Sequence, residues 1–166
     1  MASPRSLVAR ALLGAALLSP AVIAAARATP APWAPQAPAY GDALLADQPV
    51  KAADGAVLRA DVYYPTDKAT GKAAGGRFPV LLQQTPYGKS NVSSAVANTD
   101  VPYLVDRGFI VVISDVRGTG DSGGTWGLFD PVQATDSRAL VDWTARLPHS
   151  NGTVGLFGES YMGINQ

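Results

Sequence analysis

The sequence predicts an α/β protein, because three features typical of that class occur in order along the chain. A hairpin signal, Asp54-Gly55, lies between two strand-like segments. Near-continuous apolar runs at 78–83 and 109–115 then suit a parallel sheet that is covered on both faces. A further short apolar run at 154–157 leads into a glycine-flanked serine. Strands separated by helices in this way are expected to join through right-handed crossovers.

The first 28 residues are predicted to be a secretory signal peptide. Two arginines precede an apolar run over 11–26, and 26–28 offers small residues around a cleavage point. The alternative is an uncleaved membrane anchor, but Ser19-Pro20 interrupts the run, which falls short of the roughly 20 residues that a span needs. We therefore expect an exported protein, secreted or periplasmic, without a stable membrane anchor.

Composition narrows the classes of function. Cleavage after Ala28 would leave 138 of the 166 residues, with ten basic and thirteen acidic side chains. A net charge of −3 gives no electrostatic reason to expect nucleic-acid binding. The chain has no cysteine, which excludes disulfides and thiolate metal sites. We expect no cofactor and no metal, and the composition does not indicate an oligomeric state.

The folded domain is expected to span 41–166. Residues 29–40 are rich in alanine and proline, which indicates an extended linker. After the hairpin turn, residues 57–64 alternate as a half-buried strand does, and Pro65 is expected to end that strand. The residues predicted to share its buried face are Leu58, Ala60, Val62 and Tyr64.

The remaining elements follow from apolar runs and helix signals. Residues 78–83 and 109–115 are predicted strands, with a short helix at 102–107 closed by Gly108. Asp130-Pro131 is a typical helix start, and Pro148 is expected to stop that helix. The residues predicted to form its buried face are Val132, Leu140, Trp143 and Leu147.

Residues 158–163, Gly-Glu-Ser-Tyr-Met-Gly, follow the last predicted strand. A serine in a tight, glycine-flanked turn between a strand and a helix is the nucleophile elbow of α/β-hydrolases. The pattern therefore predicts Ser160 as a nucleophile, against the alternative of a structural serine in a loop. One departure is that Met162 stands where the usual Gly-x-Ser-x-Gly has its last glycine, and Gly163 follows it.

An oxyanion hole in this architecture takes one donor from the amide after the nucleophile, here Tyr161, and another from the loop after the third strand. That loop is predicted at 85–89, where the phenol of Tyr87 is a candidate donor. The residues alone leave open whether Tyr87 has this role or is a surface tyrosine in a turn.

Residues 115–123 contain a literal G-x-G-x-x-G after a strand. A dinucleotide site would need a helix directly after the third glycine. The following residues, 125–131, are not helical in character. We therefore expect a glycine-rich loop that lines the mouth of the site and fixes Asp115 and Arg117.

His149 is the only histidine in the chain. It precedes the last predicted strand, whereas Ser160 follows it, so the two are expected to lie more than ~15 Å apart. A general base must reach hydrogen-bond distance of the group that it deprotonates. His149 is therefore predicted to be a turn residue, and the catalytic histidine and its acidic partner are expected outside these 166 residues.

Five motifs in this order resemble the X-Pro dipeptidyl-peptidase-like hydrolases, a family that includes cocaine esterase and the α-amino-acid ester hydrolases. They are Asp-Gly-x-x-Leu-x-Ala-Asp-Val-Tyr-Tyr-Pro (54–65), Thr-Pro-Tyr-Gly-Lys (85–89), Asp-Val-Arg-Gly-Thr-Gly-Asp-Ser (115–122), Ser-Asn-Gly-Thr-Val-Gly (150–155) and Gly-Glu-Ser-Tyr-Met-Gly (158–163). The resemblance implies the amino-terminal half of an α/β-hydrolase sheet, truncated after the nucleophile elbow.

The resemblance also implies roles for individual residues. Ser160 matches the nucleophile, and Tyr87 matches a tyrosine whose hydroxyl completes the oxyanion hole beside the Tyr161 amide. In the family the Asp and His follow a helical cap, and a jelly-roll domain comes last. His149 stands where the family often has tryptophan, which agrees with a non-catalytic role.

The expected function is that of a serine hydrolase that cleaves a small-molecule ester or a short peptide through an acyl-enzyme on Ser160. Within that class, an acyl or α-amino-acid ester hydrolase is the alternative to an X-Pro dipeptidyl-peptidase. A different possibility is that the 166-residue chain is a truncated product, and we expect it to be inactive by itself because it lacks the base.

Overall fold

The computed structural model of the protein describes residues 33–90 and 101–166, and from Ala34 onward they belong to one compact unit. The predicted signal peptide lies outside the described residues, as does the start of the predicted linker. Residues 33–40 form no helix or strand, and the first strand begins at Gly41. The backbone amides of Ala39 and Tyr40 donate to the Asp106 carbonyl, so the end of the linker is attached to the domain.

The described residues form a five-stranded mixed sheet in the order β1-β2-β4-β3-β5. The β1/β2 and β2/β4 pairs are antiparallel, whereas β3 pairs in parallel with both β4 and β5. In chain order the elements are β1 Gly41–Lys51, β2 Val57–Thr66, β3 Phe78–Thr85, α1 Val101–Val105, β4 Ile110–Asp115, α2 Val132–Ala145, β5 Ser150–Leu156 and α3 Tyr161–Ile164. The predicted antiparallel hairpin followed by parallel strands is confirmed.

Helices cover both faces of this sheet, as the apolar runs predicted. Every residue of β4 is buried, and its side chains alternate between two apolar clusters. Ile110 and Val112 pack in the cluster that includes Leu140 of α2. Val111 and Ile113 pack on the opposite side, with Val101 and Val105 of α1.

The first hairpin differs from its prediction at both ends. The strand-like segment before the hairpin turn was recognised in the sequence only over 49–52, whereas β1 begins at Gly41, and β2 continues through Pro65 to Thr66. The register shifts between Leu45 and Gln48, which marks a β-bulge. The extra length arises because Gly41–Leu45 pairs with the end of β2. These residues are mostly exposed, so their sequence shows no alternation of apolar and polar residues that would have predicted a strand.

Helix α2 begins where it was predicted, but its buried face is different. The carboxylate of Asp130, which directly precedes the N-cap residue Pro131, accepts a hydrogen bond of 3.0 Å from the Val132 amide. Val132, Trp143 and Leu147 are only partly buried, and of the predicted face only Leu140 is fully buried. The fully buried residues are Gln133, Asp136, Leu140 and Thr144. Gln133 accepts a hydrogen bond from Tyr161, and Asp136 accepts one from Arg117, so neither side chain packs against the apolar sheet.

The strand that precedes the serine turn is the last in the sheet order. β5 pairs with β3 from Phe78 to Leu82, and most of its residues are exposed or only partly buried. It is longer than the predicted 154–157 because it begins at Ser150. Within 33–90 and 101–166, no helix is long and apolar enough to cross a membrane.

Candidate active site

Ser160 lies between β5 and α3 and has a backbone conformation that residues other than glycine rarely adopt. Its φ is 55° and its ψ is −125°, outside the regions favoured by L-residues. Such strain costs of order 1–3 kcal/mol and persists only where the surrounding structure enforces it. The residue is exposed. The turn is therefore as sharp as the sequence predicted, and it presents the serine to solvent.

Two glycines make this turn sterically possible. A Cβ at Gly158 would lie 2.5 Å from the Met162 Cβ and 2.6 Å from the Met162 carbonyl oxygen. A Cβ at Gly163 would lie 2.9 Å from the Gly158 carbonyl oxygen. The first turn of α3 thus packs directly against Gly158, two residues after the end of β5. Gly158 leaves room for Met162, and Gly163 leaves room for the Gly158 carbonyl, so both glycines are needed around the serine.

Tyr161 begins α3, and its buried side chain anchors the turn to α2. The side chain is buried, and its hydroxyl donates a hydrogen bond of 2.9 Å to Gln133 Oε1 of α2. The same hydroxyl accepts a hydrogen bond of 3.3 Å from the Phe129 amide, and the Phe129 ring stacks on the Tyr161 ring at 4.5 Å. The Tyr161 amide belongs to the first helical turn, whose N–H groups have no partner within the helix.

Tyr87 and Tyr161, the two predicted oxyanion residues, line the same cleft. Its volume is about 410 Å³. Tyr87 follows β3 and is half exposed, and its amide donates a hydrogen bond of 3.1 Å to Thr85 Oγ1. The cleft is lined by Pro86, Tyr87, Thr119, Trp126, Leu128 and Tyr161. Sequence reasoning did not identify Trp126 and Leu128, although two large apolar residues in a glycine-rich loop were a usable signal.

The glycine-rich loop packs around Asp115 rather than opening into a phosphate cradle. The Asp115 carboxylate is buried and accepts hydrogen bonds from the amides of Lys89 (2.6 Å) and Asp121 (2.9 Å). A Cβ at Gly120 would lie 2.2 Å from Asp115 Oδ2. The next helix begins only at Val132. The loop therefore fixes Asp115, and Thr119 and Trp126 from the same loop line the cleft, as expected.

Arg117, the second residue that this loop was expected to fix, is also buried. Its Nε and Nη2 donate to the Asp136 carboxylate of α2 at 2.8 Å and 2.6 Å. Hydrogen bonds that Arg117 donates to Asp136 and Asp54 raise the pKa of Arg117 further above its already high value. A Cβ at Gly124 would lie 2.8 Å from Arg117 Cγ, so that glycine makes room for the side chain.

His149 lies at the opposite end of β5 from Ser160. Its Nδ1 is 3.2 Å from the Gly76 carbonyl oxygen, and the residue is an exposed turn residue with a φ of 61°. The seven residues of β5 separate it from the serine turn, which corresponds to roughly 20 Å. The structure therefore does not bring the histidine and the serine together. Across residues 33–90 and 101–166, no group of three or more acidic or histidine side chains could hold a metal ion.

The half-sheet and the strained serine turn at its edge define the class of this protein as an α/β-hydrolase. Residues 54–166 match the family described as X-Pro dipeptidyl-peptidase (S15 family). The chain therefore belongs to the X-Pro dipeptidyl-peptidase family of hydrolases.

Individual relatives agree with this assignment. Cocaine esterase from Rhodococcus sp. is 34% identical over 114 residues, which cover 68% of this chain and 18% of that protein. A CocE/NonD family hydrolase from Staphylococcus aureus has a TM-score of 0.64 at 26% identity, over 74% of this chain and 24% of that one. An α-amino acid ester hydrolase shares the fold, with a TM-score of 0.62 at 24% identity, over 89% of this chain and 25% of that one. The chain thus spans about a fifth of the length of the curated relative that it matches.

Proposed function

We propose that this chain carries the nucleophile and the oxyanion hole of a serine hydrolase that cleaves an ester or an amide. The Ser160 oxygen attacks the carbonyl carbon of the substrate and loses its proton to a general base. The resulting oxyanion accepts hydrogen bonds from the Tyr161 amide and the Tyr87 hydroxyl. When the carbonyl re-forms, the alcohol or amine leaves with a proton, and water then releases the acid from the acyl-enzyme.

The observation that carries this proposal is the conformation of Ser160. A non-glycine residue at φ 55° and ψ −125°, exposed and wedged between two glycines, is costly to maintain and has no evident structural use. The position of Tyr87 and Tyr161 around one cleft supports the proposed oxyanion hole. Removing one such donor typically lowers kcat by ~10²–10³.

The general base is proposed to come from outside the 166 residues. His149 is held at the far end of β5 by the turn near Gly76, so it cannot reach the Ser160 hydroxyl. We propose that a histidine and an acidic residue of the full-length protein complete the triad. The isolated 166-residue chain would then be inactive, because a serine without its base keeps its proton.

The proposed substrate is a small-molecule ester or a short peptide. The matched family is described by a peptidase activity, whereas the relative with 34% identity is an esterase. Both reactions use the same acyl-enzyme chemistry, so the site is compatible with either an alcohol or an amine as the leaving group. The mostly apolar lining of the cleft favours a substrate with an apolar group next to the carbonyl.

A fluorophosphonate probe tests the nucleophile in the full-length protein. We expect stoichiometric labelling of the Ser160 peptide, loss of labelling in Ser160→Ala, and no labelling of the isolated 166-residue chain. Labelling of another serine in the full-length protein would contradict the assignment. Turnover of a p-nitrophenyl ester and of an X-Pro-p-nitroanilide, compared in the same preparation, then distinguishes an esterase from a dipeptidyl-peptidase.

We also propose that the protein is exported after removal of its first 28 residues. The support is the pattern of arginines, apolar run and small residues at the start of the sequence. Mass spectrometry of protein recovered outside the cytoplasm should identify Thr29 as the first residue. An intact first segment, Met1 to Ala28, on the recovered protein would contradict cleavage.

A further inference from the structure

Lys89 is a buried cation surrounded by carboxylates, two residues after Tyr87. Its side chain is 2% exposed. The Nζ atom lies 3.2 Å from Asp47 Oδ1 and 3.5 Å from Asp115 Oδ2, and it contacts Asp121 Oδ2. Burial alone lowers the pKa of Lys89, but hydrogen bonds to Asp121 and Asp47 outweigh it and raise the pKa above its usual value. The lysine therefore stays charged at neutral pH.

Each carboxylate comes from a different part of the fold. Asp115 ends β4, Asp121 belongs to the glycine-rich loop, and Asp47 lies at the bulge of β1 with a φ of 56°. The Asp47 amide donates to Asp61 Oδ1 at 2.8 Å, which fixes the bulge against β2. A β-bulge re-aims side chains next to it. Here the bulge aims the Asp47 carboxylate at Lys89.

The segment that carries Tyr87 is anchored at both ends. At its start, Thr85 is fully buried and its carbonyl accepts a hydrogen bond of 2.9 Å from the Val116 amide. At its end, the Lys89 amide donates to Asp115 Oδ1, so Lys89 is bound to Asp115 through both its backbone and its side chain. Between these anchors, Tyr87 is 50% exposed and reaches the cleft.

The same carboxylate also fixes a second segment that lines the cleft. Asp115 Oδ2 accepts a hydrogen bond from the Asp121 amide, and Gly120 packs against it. Thr119, which lines the cleft, directly precedes this contact. The Lys89–Asp115 contact therefore ties the Tyr87 segment to the glycine-rich loop, which also lines the cleft.

We propose that Lys89 is a positioning residue that holds the Tyr87 hydroxyl in place for the oxyanion hole. This inference rests on the proposed function, because Lys89 acts through Tyr87 and does not touch the substrate. A buried ion pair contributes uncertain net stability, since desolvation of the charges offsets their attraction. A role in fixing one loop geometry accounts for a lysine that is buried so close to the candidate donor.

A double-mutant cycle in the full-length protein tests this inference, with kcat and KM measured on a p-nitrophenyl ester. Tyr87→Phe and Lys89→Met are each expected to lower kcat by about 10²-fold or more, with KM changed less than about threefold. In the Tyr87→Phe background, Lys89→Met should lower kcat by less than about threefold further, because the hydroxyl that it positions is already gone.

Two further variants keep the test decisive. If Lys89→Met does not fold, the same cycle with Asp121→Asn replaces it, because Asp121 is 65% exposed and leaves Lys89 paired with two carboxylates. A smaller fall in kcat is expected there, again absent from the Tyr87→Phe background. Val62→Ala, in the apolar core of β2, lowers stability without touching this cluster and should leave kcat unchanged in both backgrounds.

The outcomes distinguish a failure of the proposed oxyanion hole from a failure of the positioning role of Lys89. If Tyr87→Phe leaves kcat unchanged, the proposed oxyanion role of Tyr87 fails, and the role of Lys89 fails with it. Suppose instead that Tyr87→Phe lowers kcat, and that the Lys89 or Asp121 substitution lowers kcat by the same factor in the Tyr87→Phe background as in wild type. The proposed function then stands and the positioning role is overturned. A Lys89→Met protein that folds with unchanged kcat overturns it as well.

Discussion

Arg117 and Asp54 form a bidentate ion pair, with Nη1 2.7 Å from Oδ2 and Nη2 3.1 Å from Oδ1. Asp54 lies in the turn of the first hairpin, and Arg117 lies in the loop after β4, 63 positions further along the chain. Because Arg117 also binds Asp136 of α2, one guanidinium joins three separate parts of the fold. Its planar group makes two hydrogen bonds to each carboxylate, four in all, whereas a lysine has only three donors and no fixed fork geometry.

This pair predicts a stability that depends on pH. The hydrogen bond from Arg117 is the main cause that lowers the pKa of Asp54 below its usual 3.8. A lowered carboxyl pKa contributes stability above the unfolded-state value, and the contribution is lost as the pH falls through the folded-state value. Asp54→Asn should therefore lower Tm at pH 7, and the difference from wild type should shrink progressively as the pH falls below the unfolded-state pKa of about 3.9.

Thermal melts between pH 7 and pH 2.5 check this expectation. Asp142→Asn, an exposed change of the same charge on α2, is the control and should leave Tm unchanged throughout. A difference between Asp54→Asn and wild type that persists undiminished at pH 2.5 would mean that the ion pair is not its source.

Replacing Ser160 should separate the chemistry from the strain. Ser160→Ala and Ser160→Gly both remove the hydroxyl, so each is expected to lower kcat of the full-length protein by about 10⁴-fold or more. Glycine accepts a positive φ without the steric cost that alanine bears. The glycine variant should therefore be about 1 kcal/mol more stable than the alanine variant, as measured by urea unfolding. Equal stabilities would show that the turn is not strained.

The two tyrosines of the cleft should respond differently to loss of the hydroxyl. In Tyr161→Phe the amide remains, so kcat should stay within about threefold of wild type. The buried Gln133 Oε1 would lose its donor, at a cost of about 1–3 kcal/mol in the free energy of unfolding. Parallel kinetics and urea unfolding of Tyr161→Phe check both values. A fall in kcat as large as that expected for Tyr87→Phe would argue against the amide as the donor.

Substitution of a glycine in the glycine-rich loop should cost more stability than substitution of a glycine with positive φ elsewhere. Gly120→Ala places a Cβ 2.2 Å from Asp115 Oδ2 at a φ of 52°, and we expect a loss of about 3 kcal/mol. Gly152 also has a positive φ, 86°, but a Cβ there meets nothing within 4 Å. Gly152→Ala should therefore cost only about 1 kcal/mol, the backbone strain alone. Urea unfolding of the two variants measures the difference, and similar losses would contradict the steric argument.

Local sequence patterns predicted those parts of the fold whose structure depends on neighbouring residues. β4 was recognisable because all its residues are buried, and the serine turn because its glycines are only a few positions from Ser160. The first half of β1 was missed because its leucines, Leu44 and Leu45, are exposed and its strand geometry comes from pairing with β2.

Contacts between distant residues account for most of what the sequence did not predict. Gln133 and Asp136 are buried on α2 because Tyr161 and Arg117 lie opposite them, and no spacing within the helix shows this. The burial of Lys89 requires carboxylates from three other segments. Ser160, Tyr87 and Tyr161 were proposed from motifs, but the cleft that Tyr87 and Tyr161 share with Trp126 needed the fold.

The unusual torsion angles of Ser160 also bear on how this protein should behave when it is warmed. The bend is maintained by a handful of close glycine contacts and by the buried Tyr161 phenol, all at the margin of the sheet. Release of that small region would relax the serine while the inner strands stay paired. We therefore expect the proposed hydrolysis by the full-length protein to be lost on heating before circular dichroism reports melting, with recovery on cooling.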